Sequence, residues 1–189
     1  MNTLSYLLLN YNTAPQLRAL SDYSIISKNN DQLMDNLIHY HKKGQFEKYI
    51  GDFLVKQYKS EDPKLRAIWS SDTERLNYFI RELINNQDPN LKQENDTTIN
   101  KKTVGWLIDK KGIQVRKNII DPLLQYIYEI GARYLNEKNK EIDNLNINQA
   151  TSLINKMQEV GTINSEIKNK ITSNNINKYI APHFYLNKD

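Results

Sequence analysis

Apolar residues recur at three- and four-residue spacing along most of this chain, and that period constrains the fold more than any other feature. Leu4, Leu7 and Leu8 make a first short stripe. "TAP" at 13–15 restarts the chain, with Pro15 suited to the first turn of a helix. Leu33, Leu37 and Ile38 follow from Asp31 and stop near Gly44, a residue able to take the left-handed cap. Phe46, Ile50, Phe53, Leu54 and Tyr58 mark the next helix, and Gly51 inside it predicts a close packing point. Leu123, Leu124, Ile127, Ile130 and Tyr134 share a face behind Asp121-Pro122, with Asp as cap and Pro at the first position. Residues 136–144 are polar and read as a hinge or a solvated helix end. Leu153, Ile154, Met157 and Val160 form a stripe that ends at Gly161. Asn164 or Ser165 then caps a last helix bearing Ile167, Ile171, Ile176 and Ile180. Pro182 ends that helix, and "IAPHFYL" supplies an apolar tail for the core.

The segment "SSDTE" at 70–74 predicts a further helix start. Ser71 and Glu74 stand three apart, as a capping box requires. Leu76, Phe79, Ile80, Leu83 and Ile84 continue at helical spacing, with Arg75 and Arg81 off the apolar face. Residues 85–103 are polar and predict an exposed loop. "GWLIDKKGIQVRKNIIDP", residues 105–122, breaks the period. Trp106, Leu107 and Ile108 run into Asp109-Lys110-Lys111-Gly112, and Ile113 and Val115 alternate afterwards. Asp suits the start of a tight turn and Gly its left-handed position, so a β-hairpin is expected here.

Length bounds the fold: 189 residues at 39% hydrophobic fit one core, with a small appended lobe at most. The expected fold is mainly α, a compact multi-helix domain with one β-hairpin near residues 106–116. Residues 1–136 would carry the hairpin and the exposed loop. Residues 137–189 would add a helical hairpin and tail that pack on them as one unit. No apolar run approaches the ~20 residues of a membrane span. "LSYLLL" is too short for a secretory signal and has no basic residue before it. A soluble, unexported protein is therefore expected, with no membrane among its partners. Cysteine is absent, which excludes disulfides and thiolate metal sites.

Charge points weakly to a polyanion. The net charge is +4. Lys101, Lys102, Lys110, Lys111, Arg116 and Lys117 against Asp109 leave +5 over 17 residues. With Arg75 and Arg81 on the preceding predicted helix, these eight cations are the candidate nucleic-acid contacts, arranged like a helix and basic wing. Lysine is a discounted signal here. Asn, Ile and Lys number 25, 22 and 20, as an AT-rich coding bias produces. A solvated turn packed through Trp106 explains the same residues without a ligand.

No catalytic constellation stands beside these cations. His39 and His41 lie about 200° apart on a helix, so they cannot chelate one metal together and are expected to be solvated. His183, between Pro182 and Phe184, reads as a packed or capping residue. Asp62, Asp72, Asp109 and Asp121 each sit where a turn or cap needs a carboxylate. Glycine-rich phosphate loops, nucleophile triads and zinc spacings are absent, so neither cofactor nor metal is expected. The 12 Tyr and two Trp could stack bases, although aromatics at helical spacing usually belong to cores.

Three blocks, "IWSSDTERLNYFIREL", "WLIDKKGIQVRKNIIDPLL" and "KYIAPHFYL", together resemble a group of uncharacterised proteins of giant DNA viruses of the mimivirus kind. The likeness spans roughly residues 68–186. In that group a related region often follows an N-terminal Cys/His zinc finger; this chain has no Cys, so the finger's function does not carry over. The resemblance implies a viral protein of the host cytoplasm or the virion, and brings no catalytic residue. The resulting expectation is a non-enzymatic nucleic-acid-binding module, with DNA favoured over RNA. The alternative is a protein-interaction or virion structural domain, with Trp106, Tyr78 and the C-terminal tail forming an apolar patch.

Overall fold

The computed structural model describes residues 1–86 and 101–188. Among them the chain is mainly α-helical, with a three-stranded antiparallel sheet in the order β1-β2-β3. α1 (Thr3–Asn10) starts at Asn2, whose side chain accepts from Ser5 N at 2.8 Å. The chain then runs extended past Pro15, where a helix was expected. It lies alongside the sheet, with Leu17 N donating to Arg81 O at 2.8 Å. α2 (Asn30–Lys42) is capped by Asn29 and closes at Gly44, which has φ +66°. α3 (Phe46–Tyr58) contains the close packing point: a Cβ on Gly51 would lie 2.2 Å from the Tyr179 ring.

The predicted helix after "SSDTE" is a β-hairpin instead. β1 (Ile68–Asp72) pairs with β2 (Asn77–Asn86), and β2 pairs with β3 (Lys101–Asp109). Asp72 initiates the first turn, its Oδ1 accepting from Arg75 N at 3.0 Å. Ser71 caps nothing; its hydroxyl donates across the hairpin to Asn77 O at 3.3 Å. The misleading period has a physical cause: around residues 78–81 the sheet is buried on both faces. Ile68, Tyr78 and Ile80 face the main helical core. Trp69, Phe79 and Trp106 face a second cluster with Leu7, Ala14 and Leu186. A strand covered on both sides loses its alternation and reads as a continuous apolar run. The expected loop at 85–103 lies outside the described residues except for 85–86 and 101–103, which are strand.

The strand around Trp106 therefore pairs with β2, and residues 113–116 are helical. A 3-10 turn at Lys110–Gly112 leads into α4 (Ile113–Val115), a π-helical stretch at Arg116–Ile120, and α5 (Asp121–Glu141) without a break. Leu123, Leu124, Ile127, Ile130 and Tyr134 are all buried. Asp121 lies inside this continuous helix, where its carboxylate accepts from Ser173 Oγ at 2.6 Å. α6 (Ile147–Lys168) begins at a capping box of Asn146 and Gln149 and runs through Gly161. Asn164 is accordingly mid-helix, buried, and donates to Tyr128 O at 3.2 Å. α7 (Ile171–Ile180) follows Lys170, which takes the left-handed conformation. The tail returns to the sheet: Leu186 N donates to Ser70 O at 3.0 Å, and Phe184 is fully buried.

Candidate nucleic-acid interface

The basic turn at 110–112 is built from the sheet and two helices. Asp109, at the end of β3, is buried and turns its carboxylate onto the start of α4. Oδ1 accepts from Gln114 N and Oδ2 from Val115 N, both at 2.9 Å. Burial pushes its carboxyl above the ordinary range, while these backbone donors and Arg116 pull it back. The N–H groups that could receive a phosphate are thus already satisfied by an internal anion. A polyanion at this turn has to be held by side chains.

Those side chains project from a backbone pinned on two sides. Lys111 has φ 62°, and Gly112 follows at φ 65°. Asn77 Oδ1 accepts from Lys111 N at 3.1 Å, and Asn177 Nδ2 donates to Lys111 O at 3.3 Å. Asn177 is buried and also accepts from the Tyr78 hydroxyl, at 2.6 Å on its side chain. A Cβ at Gly112 would come within 2.4 Å of Asn177 Nδ2, so only glycine fits there. Lys110 and Lys111 are exposed and make no ion pair among the described residues.

Of the eight candidate cations, the structure gathers four near this turn, puts Arg75 on the neighbouring turn, and separates Lys101, Lys102 and Arg81 from them. Lys110 and Lys111 are on it. Arg116 and Lys117 follow on the π-helical stretch; Arg116 Nη1 donates to Asn174 Oδ1 at 2.6 Å, and Lys117 is exposed. Arg75 lies on the β1–β2 turn, at the same end of the sheet because Tyr78 pairs with Asp109. It is exposed, 3.8 Å from Asp72, and shares that turn with Glu74, so the second turn carries a net charge of −1 and adds no positive charge to the first. Lys102 is exposed at the opposite end of β3, about 27 Å away at ordinary strand rise. Lys101 begins β3 beside it.

Arg81 is no surface contact. It is 6% exposed, its Nε donates to Ala14 O at 2.8 Å, and its guanidinium lies over the Trp106 ring, 5.5 Å from the centroid. An off-face residue on a helix becomes a core-facing residue on a strand. Trp106 is buried, but against α1 and the tail rather than against α5, and its Nε1 donates to Tyr11 O at 3.1 Å. Tyr78 is buried as well, so neither ring contributes to an exposed patch.

Pattern reading missed a polar cluster at the α2–α6 contact. His41 is not solvated: Nδ1 meets Glu159, and Nε2 meets Glu166 at 2.9 Å. Nothing local signals this, because the carboxylates lie more than a hundred residues away. His183 is exposed, its ring tilted against Tyr179 at 5.2 Å. Among the described residues no group of His, Cys, Asp or Glu is placed to hold a metal ion, and no helix is long and apolar enough to cross a membrane. No family model, curated protein or solved structure matches the chain.

Proposed function

We propose that this domain is a non-enzymatic nucleic-acid-binding module that grips phosphate through the turn at 110–117. The supporting observation is the pinned turn: Lys110 and Lys111 are exposed and unpaired on a backbone that Asn77 and Asn177 hold in place. A fixed backbone removes its share of the ordering entropy on meeting a phosphate and leaves only the lysine side chains to be ordered. The π-helical stretch carrying Arg116 and Lys117 adds weight, since such irregular turns are frequent at functional sites. Phosphate contacts alone carry no base information, so the binding is weak, salt-sensitive and little dependent on sequence. The likeness to giant-virus proteins favours DNA and a setting in a viral factory or virion.

The test is fluorescence anisotropy at two salt concentrations, on duplex DNA, single-stranded DNA and RNA. Lys110→Gln, Lys111→Gln and Lys117→Gln combined should lower the affinity and shrink the salt slope by up to about 2.7 for duplex DNA. The fold should survive, because all three side chains are exposed. Absence of binding by the parent at low salt, or an unaltered slope in the triple variant, sinks the reading.

One observation favours protein interaction as the second reading. Leu83, Val104 and Ile108 lie on the same face of the sheet and are 41%, 37% and 55% exposed. These exposed apolar groups, which flank the buried Arg81–Trp106 pair, suit a protein contact. Sedimentation of the domain alone and with candidate partners separates the two readings: mass gained without nucleic acid, and lost in Ile108→Lys, favours this one.

A further inference from the structure

One flank of α3 borders a cleft of about 370 Å³, a size within the range of small-molecule sites. Three of its eight lining residues are aromatic: Tyr40, Tyr49 and Phe53. Tyr40 and Tyr49 stack with centroids 4.7 Å apart and planes within 15°. Phe53 follows Tyr49 by one helical turn, and Ile26 extends the apolar wall. Tyr40, Tyr49 and Phe53 are half-buried, so these rings are not simply core. Gln45, Lys48 and Lys56 stand at the rim, all exposed. Asp52 lies between the two lysines, but its carboxylate is engaged: Lys48 Nζ donates to Oδ2 at 2.6 Å, and the Tyr179 hydroxyl donates to Oδ1. Lys56 has no ion pair among the described residues. The cleft thus joins a stacking surface to one neutralised and one free cation.

We propose that this cleft binds a flat aromatic ring carrying an anionic group, as a nucleotide unit does. The ring lies against Tyr49 and Phe53, and Lys56 meets the phosphate. Aromatic faces accept any base, and a nearby lysine favours the charged nucleotide over the nucleoside. The same chemistry comes either as a free mononucleotide or as one unit of a single strand. The site stands apart from the basic turn, which α7 separates from it in the fold: Asn177 reaches Lys111, whereas Tyr179 reaches Asp52.

The experiment is a titration of the full chain with AMP, adenosine and inorganic phosphate, read by NMR shifts of the aromatic side chains. AMP should saturate, moving Tyr40, Tyr49 and Phe53 together, and should bind more tightly than adenosine or phosphate alone. Lys56→Gln, at an exposed position, should weaken AMP by about five-fold and change adenosine little. A titration with oligo(dT) then names the source. Weakening in Lys56→Gln assigns a unit of the strand; an unchanged affinity assigns the free nucleotide. Lys110→Gln with Lys111→Gln should leave AMP binding intact, so the two sites fail independently. No saturation by AMP, shifts elsewhere than the three rings, or equal AMP affinity in Lys56→Gln overturns the proposal.

Discussion

Lys111 occupies a backbone conformation that L side chains rarely adopt, with φ 62° and ψ 13°. A side chain in the left-handed region costs on the order of 1 kcal/mol, and glycine there costs less. The chain nevertheless places a lysine at this position and the glycine one residue later. Gly112 has its own reason, since Asn177 fills the space a Cβ would need. Lys111 has no packing role, and its side chain is exposed. Its backbone is held by hydrogen bonds with two asparagines on different elements, its N–H donating to Asn77 and its carbonyl accepting from Asn177. Retaining a strained lysine makes sense if its charge is used. Lys111→Gly should therefore leave the urea midpoint unchanged or raise stability, by up to about 1 kcal/mol. The same variant should bind nucleic acid more weakly. A stability loss above about 1 kcal/mol would show that the lysine stem packs after all.

At the scale of elements, the helices were mostly legible and the sheet was not. α2, α3 and α5 each bury one stripe against one body, so their 3.6-residue period survives in the sequence. β2 is covered on both faces at residues 78–81, and its apolar run mimics a helix. The basic stretch at 101–117 was visible as a charge cluster. Its division between two ends of β3, and the loss of Arg81 to the interior, depend on strand register. The α2–α6 contact was equally invisible. There His41 sits between Glu159 and Glu166, with the Phe46 ring edge-on at 5.8 Å. Burial disfavours the charged imidazole, but the hydrogen bonds to the two carboxylates outweigh it and raise its pKa above the ordinary value. A raised folded pKa gives stability that is fully present below the unfolded value of about 6.5 and lost as pH rises through the folded one. Urea midpoints should therefore fall across that window. In His41→Gln the fall should be smaller. An identical pH profile in the two proteins would remove the imidazolium clasp from the account.

At the scale of the molecule, the sheet is a plate between a large helical body and a small cover. The body closes one face with residues from α2, α3, α4, α5, α6 and α7. α1 and the tail close the other with far fewer groups, chiefly Leu7, Ala14 and Leu186 over Trp69, Phe79 and Trp106. α1 has eight residues and buries only Leu7 completely, too little to be stable without the sheet. Trp106 Nε1 and the stacked Tyr11–Trp69 rings, 5.4 Å apart, tie the segment after α1 to the plate. The cover should therefore open locally more often than the body unfolds. In native-state hydrogen exchange, α1 amides should exchange well before those of Tyr78 and Ile80, which lie in the central strand. Leu7→Ala should cost about 2–5 kcal/mol if α1 stays docked and the cavity remains. A smaller loss, with faster exchange confined to α1 and the second cluster, would mean the cover detaches while the body stays folded. Because the basic turn is pinned by β2 and α7, detachment should leave polyanion affinity untouched, and a parallel loss of binding in Leu7→Ala would show that the cover and the turn are coupled through β3.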